Sequence, residues 1–437
     1  MPNYVRTAPD GYHFLETATG DVYVPMGVNY FPTGSGWAPQ IWREGAWRPE
    51  AFERDFPRLT ALGMNTIRVF LSLSHLMPEP MNVSERALEQ VGVMLDSARA
   101  HGLRVIFSGP NRWEGWPDWY EQRLAVCPDA YFADEMVLRN LERFYRTFSA
   151  RFAAHEGLFG VDLLNEPMIH FDPAMLHADR DALWAYQQRR NQISYEFVRR
   201  CTAAVKAEDP NHLVSIGSHQ WSIPLNGHGP DTYFGFDPHV IGELVDYLSF
   251  HWYPYCDAEH KIYEDDEASY QWNMGQFLAS ARYMCVGKPV MYEEFGLYGG
   301  GEFHKGPWDL PYLSQHTQAR WIADTMLRGK PFITGWLNWG FQDHPCCGDP
   351  TRFQGFYDDE GNEKELCRVY PTVRRQVEDW IKTHTPAYPP RSVPLDLRQV
   401  ATDPAAMKRA REEAIARAQR GEAFLFAVHT GRGGPEV

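Results

Sequence analysis

Short apolar runs alternate along most of the chain with longer stretches whose apolar positions recur every three or four residues. Apolar runs of four to eight residues bounded by Gly, Pro or polar clusters read as buried strands, and the longer periodic stretches as helices. Eight segments fit the first description: 24–31 (VPMGVNYF), 65–70 (NTIRVF), 104–109 (RVIFSG), 160–166 (GVDLLNE), 212–218 (HLVSIGS), 246–253 (DYLSFHWY), 289–295 (PVMYEEF) and 332–339 (FITGWLNW). In SERALEQVGVMLDSARAHG, Leu88, Val91, Leu95 and Ala98 form one helical stripe, with Ser84 suited to cap the start and Gly102 the end. Further helices are expected at 135–155, 181–206, 267–285, 314–328 and 371–383. Eight strands, each followed by helical or loop sequence, predict a parallel sheet closed into a (β/α)8 TIM barrel.

The ends of the chain depart from this alternation. A Thr-Gly-Asp turn at 19–21 marks the first 23 residues as a hairpin capping the barrel floor. A Pro-rich stretch after residue 385 separates a barrel unit, 1–390 including the cap, from a tail, 391–437. Within the tail, residues 401–421 read as one helix, with Asp403 as N-cap, Pro404 in the first turn and Gly421 past the end. Its stripe of Met407, Ala410, Ala414 and Ala418 is expected to pack on the barrel.

Composition narrows the function classes. The chain carries 42 Lys plus Arg against 57 Asp plus Glu, a net charge of -15 with no basic cluster, which excludes nucleic acid and anionic membrane surfaces as expected partners. No run approaches the ~20 apolar residues of a membrane span. The opening MPNYVRTAPDGYHF lacks an apolar signal region, so a cytoplasmic enzyme is expected if Met1 is the native start, and a secreted one if a signal was removed. The seven cysteines show no CxxC or metal-ligand spacing and read as reduced thiols, Cys346-Cys347 included. Asp343, His344 and Cys256 likewise lack a ligand spacing, and neither a metal nor a cofactor is implied.

Polar residues collect where the strands end, the face that carries catalysis in this kind of barrel. They are Arg68 on the second strand, Asn111 and Trp113 after the third, and Asn165-Glu166 on the fourth. His251 and Tyr253 follow on the sixth, Glu293-Glu294 on the seventh and Trp339 on the eighth. Two carboxyl groups flanking one bond are the requirement of glycoside hydrolysis: in a retaining enzyme one protonates the leaving oxygen and the other attacks the anomeric carbon. Strand alternation allows only one of Glu293 and Glu294 to face a given site, and the pattern alone does not choose between them. Arg68 and Tyr253 are of the right type to hold a nucleophile ionised, Asn165 to bind a sugar 2-hydroxyl, and Trp339 to floor the reacting ring. Trp308, in the Gly-rich segment LYGGGEFHKGPW, is placed to stack on substrate.

The ordered set LLNEP, SFHWYP, PVMYEEFG and GWLNW closely resembles glycoside hydrolase family 5, over roughly residues 20–385. The resemblance implies that Glu166 is the acid/base and Glu294 the nucleophile, with Arg68, Asn165, His251, Tyr253 and Trp339 as supporting positions. Glu293 is left to a structural ion pair or to a place behind the site. The segments GVNYF and Asn111-Arg-Trp113, and the helix before NEP, are similar to the β-mannanase-like branch; Met168 after NEP departs from it, where that branch commonly carries Arg. The expectation is therefore a retaining enzyme acting on β-linked manno-oligosaccharides or mannan, with a leaning toward oligosaccharides. The alternatives are β-glucosidase or endoglucanase activity, a transglycosylase using the same covalent intermediate, and a non-catalytic sugar-binding barrel, which the presence of both carboxylates disfavours.

Overall fold

The computed structural model describes residues 2–431 apart from 33–34, 36–37, 112–116, 257–260, 306–307, 345–346 and 349. Eight parallel strands close into a barrel: β1 (Met26–Asn29), β2 (Thr66–Ser72), β3 (Arg104–Asn111), β4 (Leu158–Asn165), β5 (Leu213–Ser218), β6 (Leu248–Trp252), β7 (Val290–Phe295) and β8 (Gly335–Asn338). The ring closes where Trp336 of β8 lies opposite Met26 of β1. Nearly every strand residue is buried, because side chains fill the barrel on one face and helices cover the other. That is why the strands read as continuous apolar runs.

Among the described residues seven long helices form the outer ring: α1 (Pro49–Ala61), α2 (Glu85–Ala100), α3 (Glu135–Phe152), α4 (Arg180–Glu208), α5 (Glu267–Tyr283), α6 (Gln315–Gly329) and α7 (Glu365–Thr383). They follow β1 to β4 and β6 to β8; after β5 come only short turns and the single helical turn Pro238–Ile241. The tail supplies what is missing there. Helix α8 (Pro404–Gln419) packs on α5 and on the turn at Pro224–Asn226, and the short helix Leu397–Thr402 packs on α4. The tail thus occupies the outer-ring position between α4 and α5. A Cβ on Gly275 of α5 would meet Ile415 Cγ2 at 2.8 Å, so this glycine sets how closely α8 approaches. Asp403 caps α8 as the sequence predicts, accepting the amides of Ala405 and Ala406.

Several elements differ from the sequence reading. The N-terminal segment is a three-stranded antiparallel sheet (Val5–Thr7, Phe14–Glu16, Val22–Tyr23), one strand more than the expected hairpin. Its Val5, Phe14 and Tyr23 join Ile106, Phe159, Leu213, Tyr247, Met291 and Leu337 in one apolar cluster that plugs the barrel floor. Helix α7 begins at Glu365 and runs through Pro371, where the sequence predicts a start. The buried positions Leu366, Tyr370, Val373, Val377 and Ile381 continue one face across the proline and outweigh its lost hydrogen bond. The tail also contains a parallel strand pair, Arg391–Asp396 with Leu425–His429, that no pattern announced. No helix of the described residues is long and apolar enough to cross a membrane.

Candidate active site

The centre of the site is Arg68, fully buried in the middle of β2. It faces polar groups from every neighbouring strand. Nη1 donates to Asn29 Oδ1 of β1 at 2.9 Å and to Glu294 Oε1 of β7 at 2.6 Å. Nη2 donates to Asn165 Oδ1 and Asp162 Oδ2 of β4 at 2.7 and 2.6 Å and to Ser108 Oγ of β3 at 3.1 Å, while Nε donates to Asp162 Oδ2 at 3.1 Å. A planar guanidinium fork is the group that can serve so many acceptors at once. Burial opposes its charge, but Asp162, Glu294 and Glu293 outweigh burial and raise its pKa above the ordinary arginine value.

Both Glu293 and Glu294 reach this cation, which corrects the expectation that alternation would turn one of them away. Glu293 Oε2 lies 3.2 Å from Arg68 Nε. The reason is a bulge in β7: Tyr292 pairs with Phe250 of β6, yet the next partner, His251, pairs with Glu294. One extra residue on the bulged strand breaks the two-residue period and brings consecutive side chains to the same side. A similar register shift in β4, between Asp162 and Asn165 against Ser215 and Gly217 of β5, delivers both of those residues to Arg68. Glu166, just past β4, has φ 45°, a left-handed conformation uncommon for a side-chain-bearing residue and concentrated at functional sites.

Glu294 is held at both oxygens, by Arg68 at Oε1 and by the Tyr253 hydroxyl at Oε2, 2.9 Å away. Burial pushes its carboxyl up to about 7 against the pull of Arg68 and Tyr253. Glu166 is the more open of the two, with its side chain 17% exposed. It hydrogen-bonds His251 Nδ1 at 3.0 Å, and the same nitrogen is 3.6 Å from Glu294 Oε2. Burial, with Arg68 and His219 nearby, holds His251 well below the usual histidine range, so it is a neutral partner. Donor atoms of Glu166, His251 and Glu294 all lie within 4.8 Å of one another. Carboxyl groups about 5–5.5 Å apart suit attack by one of them, whereas water-mediated inversion needs about 6.5–9.5 Å. The guanidinium 2.6 Å from Glu294 makes the trio ill suited to hold a metal cation.

The other expected site residues divide. Trp339 is buried against the rings of Phe31 and Phe70, at centroid distances of 5.9 and 5.7 Å. Asn165 is fixed through its oxygen, and its Nδ2 is buried with no hydrogen-bond partner among the described residues. Asn111, expected on substrate, is engaged with backbone here. Its Nδ2 donates to Ser108 O at 2.9 Å, and its Oδ1 accepts the Asn165 amide at 3.3 Å, so it positions Asn165. Trp113 lies outside the described residues, as does the side chain of Trp308, whose backbone begins the second strand of a hairpin, Gly301–Lys305 with Trp308–Leu313. Of the paired cysteines, Cys346 also lies outside them, whereas Cys201, Cys285 and Cys367 are buried free thiols. Asp343 is committed to Lys364, at 3.0 Å in a buried ion pair.

Sequence reasoning missed Asn29, Ser108, Asp162 and Gln220, the last accepting the Tyr253 amide at 3.0 Å. The signal was present: Asn29 and Asp162 interrupt otherwise apolar strands, and a polar residue buried mid-strand must be hydrogen-bonded to something.

The sequence profile described as Cellulase (glycosyl hydrolase family 5) matches residues 30–342, a span that contains every group bound to Arg68 except Asn29. The chain is similar to the probable mannan endo-1,4-beta-mannosidase A of Aspergillus clavatus, 21% identical over 243 residues, 54% of this chain and 60% of that protein. It therefore spans under two thirds of that relative's length. Among solved structures it is similar to GH5_18 from Streptomyces cattleya in complex with GlcNAc, with TM-score 0.70, 18% identity and 93% of each chain covered. It is also similar to the exo-beta-1,4-mannosidase Op5Man5 from Opitutaceae bacterium strain TAV5, with TM-score 0.67, 20% identity, and 97% of this chain and 72% of that one covered. At these identities the structural likenesses speak for the barrel and for nothing finer. The family match spans most of the chain and both glutamates of the site: the chain belongs to glycosyl hydrolase family 5.

Proposed function

We propose that the chain hydrolyses β-linked mannosides with retention of anomeric configuration, with Glu294 as nucleophile and Glu166 as acid/base. The observation that carries this reading is the unequal environment of two carboxyls whose oxygens approach within 4.8 Å. Glu294 is gripped at both oxygens by Arg68 and Tyr253, while Glu166 is more open and touches a neutral imidazole. In the first step Glu294 attacks the anomeric carbon, and Glu166 gives its proton to the departing glycosidic oxygen. In the second, Glu166 takes a proton from water, which attacks the same carbon and releases Glu294. Asn165 Nδ2, a buried donor without a protein partner among the described residues, supplies a hydrogen bond to the sugar 2-hydroxyl. Trp339 supports the apolar side of the ring.

One comparison favours mannose: the similar sequence is named a mannan endo-1,4-beta-mannosidase. We favour short oligosaccharides over long mannan as substrates. The test is hydrolysis of aryl β-mannoside, aryl β-glucoside and manno-oligosaccharides by the wild type, Glu166→Ala and Glu294→Ala, with azide added to the variants. The reading requires β-mannosyl azide from Glu166→Ala and the α-azide from Glu294→Ala. Cleavage of the glucoside alone would sink the mannoside assignment, and random internal cuts in long mannan would sink the preference for oligosaccharides.

A further inference from the structure

Glu293 is a third acid in the Arg68 cluster, and no step above uses it. All five guanidinium N–H groups are engaged elsewhere: Nε with Asp162, Nη1 with Asn29 and Glu294, Nη2 with Asn165 and with Asp162 and Ser108. Glu293 Oε2, although 3.2 Å from Nε, makes no hydrogen bond among the described residues. Its other oxygen meets only hydroxyls, Tyr247 Oη at 2.6 Å and Ser215 Oγ at 3.4 Å. The contrast with its neighbours is sharp. Glu294 has a directed donor on each oxygen, and Asp162 accepts from Arg68 on one oxygen and from the Gly217 and Leu164 amides on the other. A fully buried carboxylate that takes no hydrogen bond on one oxygen and shares its one nearby cation with two other acids is costly, whereas a neutral acid in the same place is less so.

We propose that Glu293 is a neutral carboxylic acid in the active enzyme, a positioning residue that leaves the whole of Arg68 to Glu294, Asp162 and Asn165. Its proton on Oε1 is then donated to the Tyr247 oxygen, the Tyr247 hydroxyl turning to the neighbouring Ser215, and Oε2 faces Arg68 as a carbonyl. The charged and titratable groups around it are Arg68 from β2, Asp162 from β4, Tyr247 before β6 and Glu294 from β7, with the hydroxyls of Ser215 and Ser249 beside them. The set holds one cation against three carboxyls, so one retained proton brings it closer to balance. Burial and then the charge of Asp162 push Glu293 up to about 7, the direction the geometry requires. The inference rests on Glu294 being the nucleophile but not on the identity of the sugar.

The experiment compares wild type with Glu293→Gln, a neutral isostere, by difference infrared spectroscopy of the substrate-free enzyme near pH 6 and by the pH profile of kcat/KM. The expected spectrum shows loss of a protonated-carboxyl carbonyl band. Activity is expected to stay within about threefold of wild type, with the acid limb unmoved, because no charge has been removed. Loss of carboxylate bands instead, or an acid limb displaced by about one pH unit toward acid as a negative charge beside Glu294 disappears, overturns the proposal. If Glu293→Gln does not fold, Tyr247→Phe takes its place: its lost hydroxyl shifts the acid band if Glu293 is protonated and leaves it in place if not. The infrared readout uses no substrate, so its failure is separable from a failure of the mannoside assignment.

Discussion

Replacing Arg68 with lysine keeps a buried cation and removes the fork. The wild-type guanidinium donates six hydrogen bonds of 2.6–3.1 Å to five residues. An ammonium offers three donors from one nitrogen, so at least half of these are lost. Its favoured place is beside Asp162, which takes two of the arginine bonds, and Glu294 then loses its partner at 2.6 Å. An opposite charge close by lowers a carboxyl by about 1–3 units, so moving it a few ångströms away raises Glu294 by about 1–2 units. Burial already holds Glu294 above the ordinary carboxylate range. A nucleophile must be ionised, and a higher pKa shrinks the ionised fraction at every pH below it. Below the wild-type acid limb the kcat/KM of Arg68→Lys should therefore fall roughly 10–100-fold, recovering as pH rises, with the acid limb displaced upward by the same 1–2 units. The assay is the pH profile on an aryl β-glycoside with a thermal melt beside it. A uniform loss of rate with the acid limb unmoved would refute the claim that this contact keeps Glu294 ionised.

Three further outcomes follow from single contacts. Asn165→Ala removes the donor assigned to the 2-hydroxyl and should cost about 2–4 kcal/mol in the transition state, roughly 30–1,000-fold in kcat/KM. On a 2-deoxyglycoside the wild type should lose the same advantage, which a steady-state comparison reads directly. Asp237, buried and hydrogen-bonded to Tyr283 at 2.8 Å, is pushed up by burial to about 7. The folded chain thus holds a proton that the unfolded chain gives up near pH 4, and stability falls as pH rises from about 4 to 7. Compared with wild type, Asp237→Asn should gain up to about 4 kcal/mol over that window in urea melts, and a constant difference across it would contradict the assignment. Gly275→Val places a branched side chain against Ile415 and should lower stability by about 1–3 kcal/mol while leaving KM unchanged, read by thermal melts and kinetics.

The barrel was legible because parallel strands buried on both faces leave unbroken apolar runs such as FITGWLNW, and because helices such as α2 carry both a stripe and caps. Helix α1 escaped notice: Pro49 and Pro57 punctuate it, although Pro49 sits in its first turn, where proline belongs. In the site, Arg68, Asn165, His251, Tyr253 and Trp339 could be named from their places at strand ends, but their joint dependence on Arg68 could not. A hub of this kind is assembled by strand register, and register shifts are invisible to a two-residue period. The Glu293-Glu294 pair shows the cost of that limit. The bulge that brings both acids to one cation depends on how β7 pairs with β6 and β8, which no local pattern in PVMYEEF records. Asn111 stands in the expected place, and what the sequence does not show is that its amide serves the backbone of its neighbours. The tail was read as a helix on the barrel; its place between α4 and α5 follows from the absence of a long helix after β5.

Because Glu293 and Glu294 both reach Arg68, the most direct test of the account is to trap the covalent intermediate. The enzyme would be incubated with a 2-deoxy-2-fluoro-β-mannosyl fluoride, digested, and the labelled peptide sequenced by mass spectrometry. One fluoromannosyl group per chain is expected, on Glu294. A label on Glu293 or Glu166, or turnover with inversion and no adduct, would contradict it.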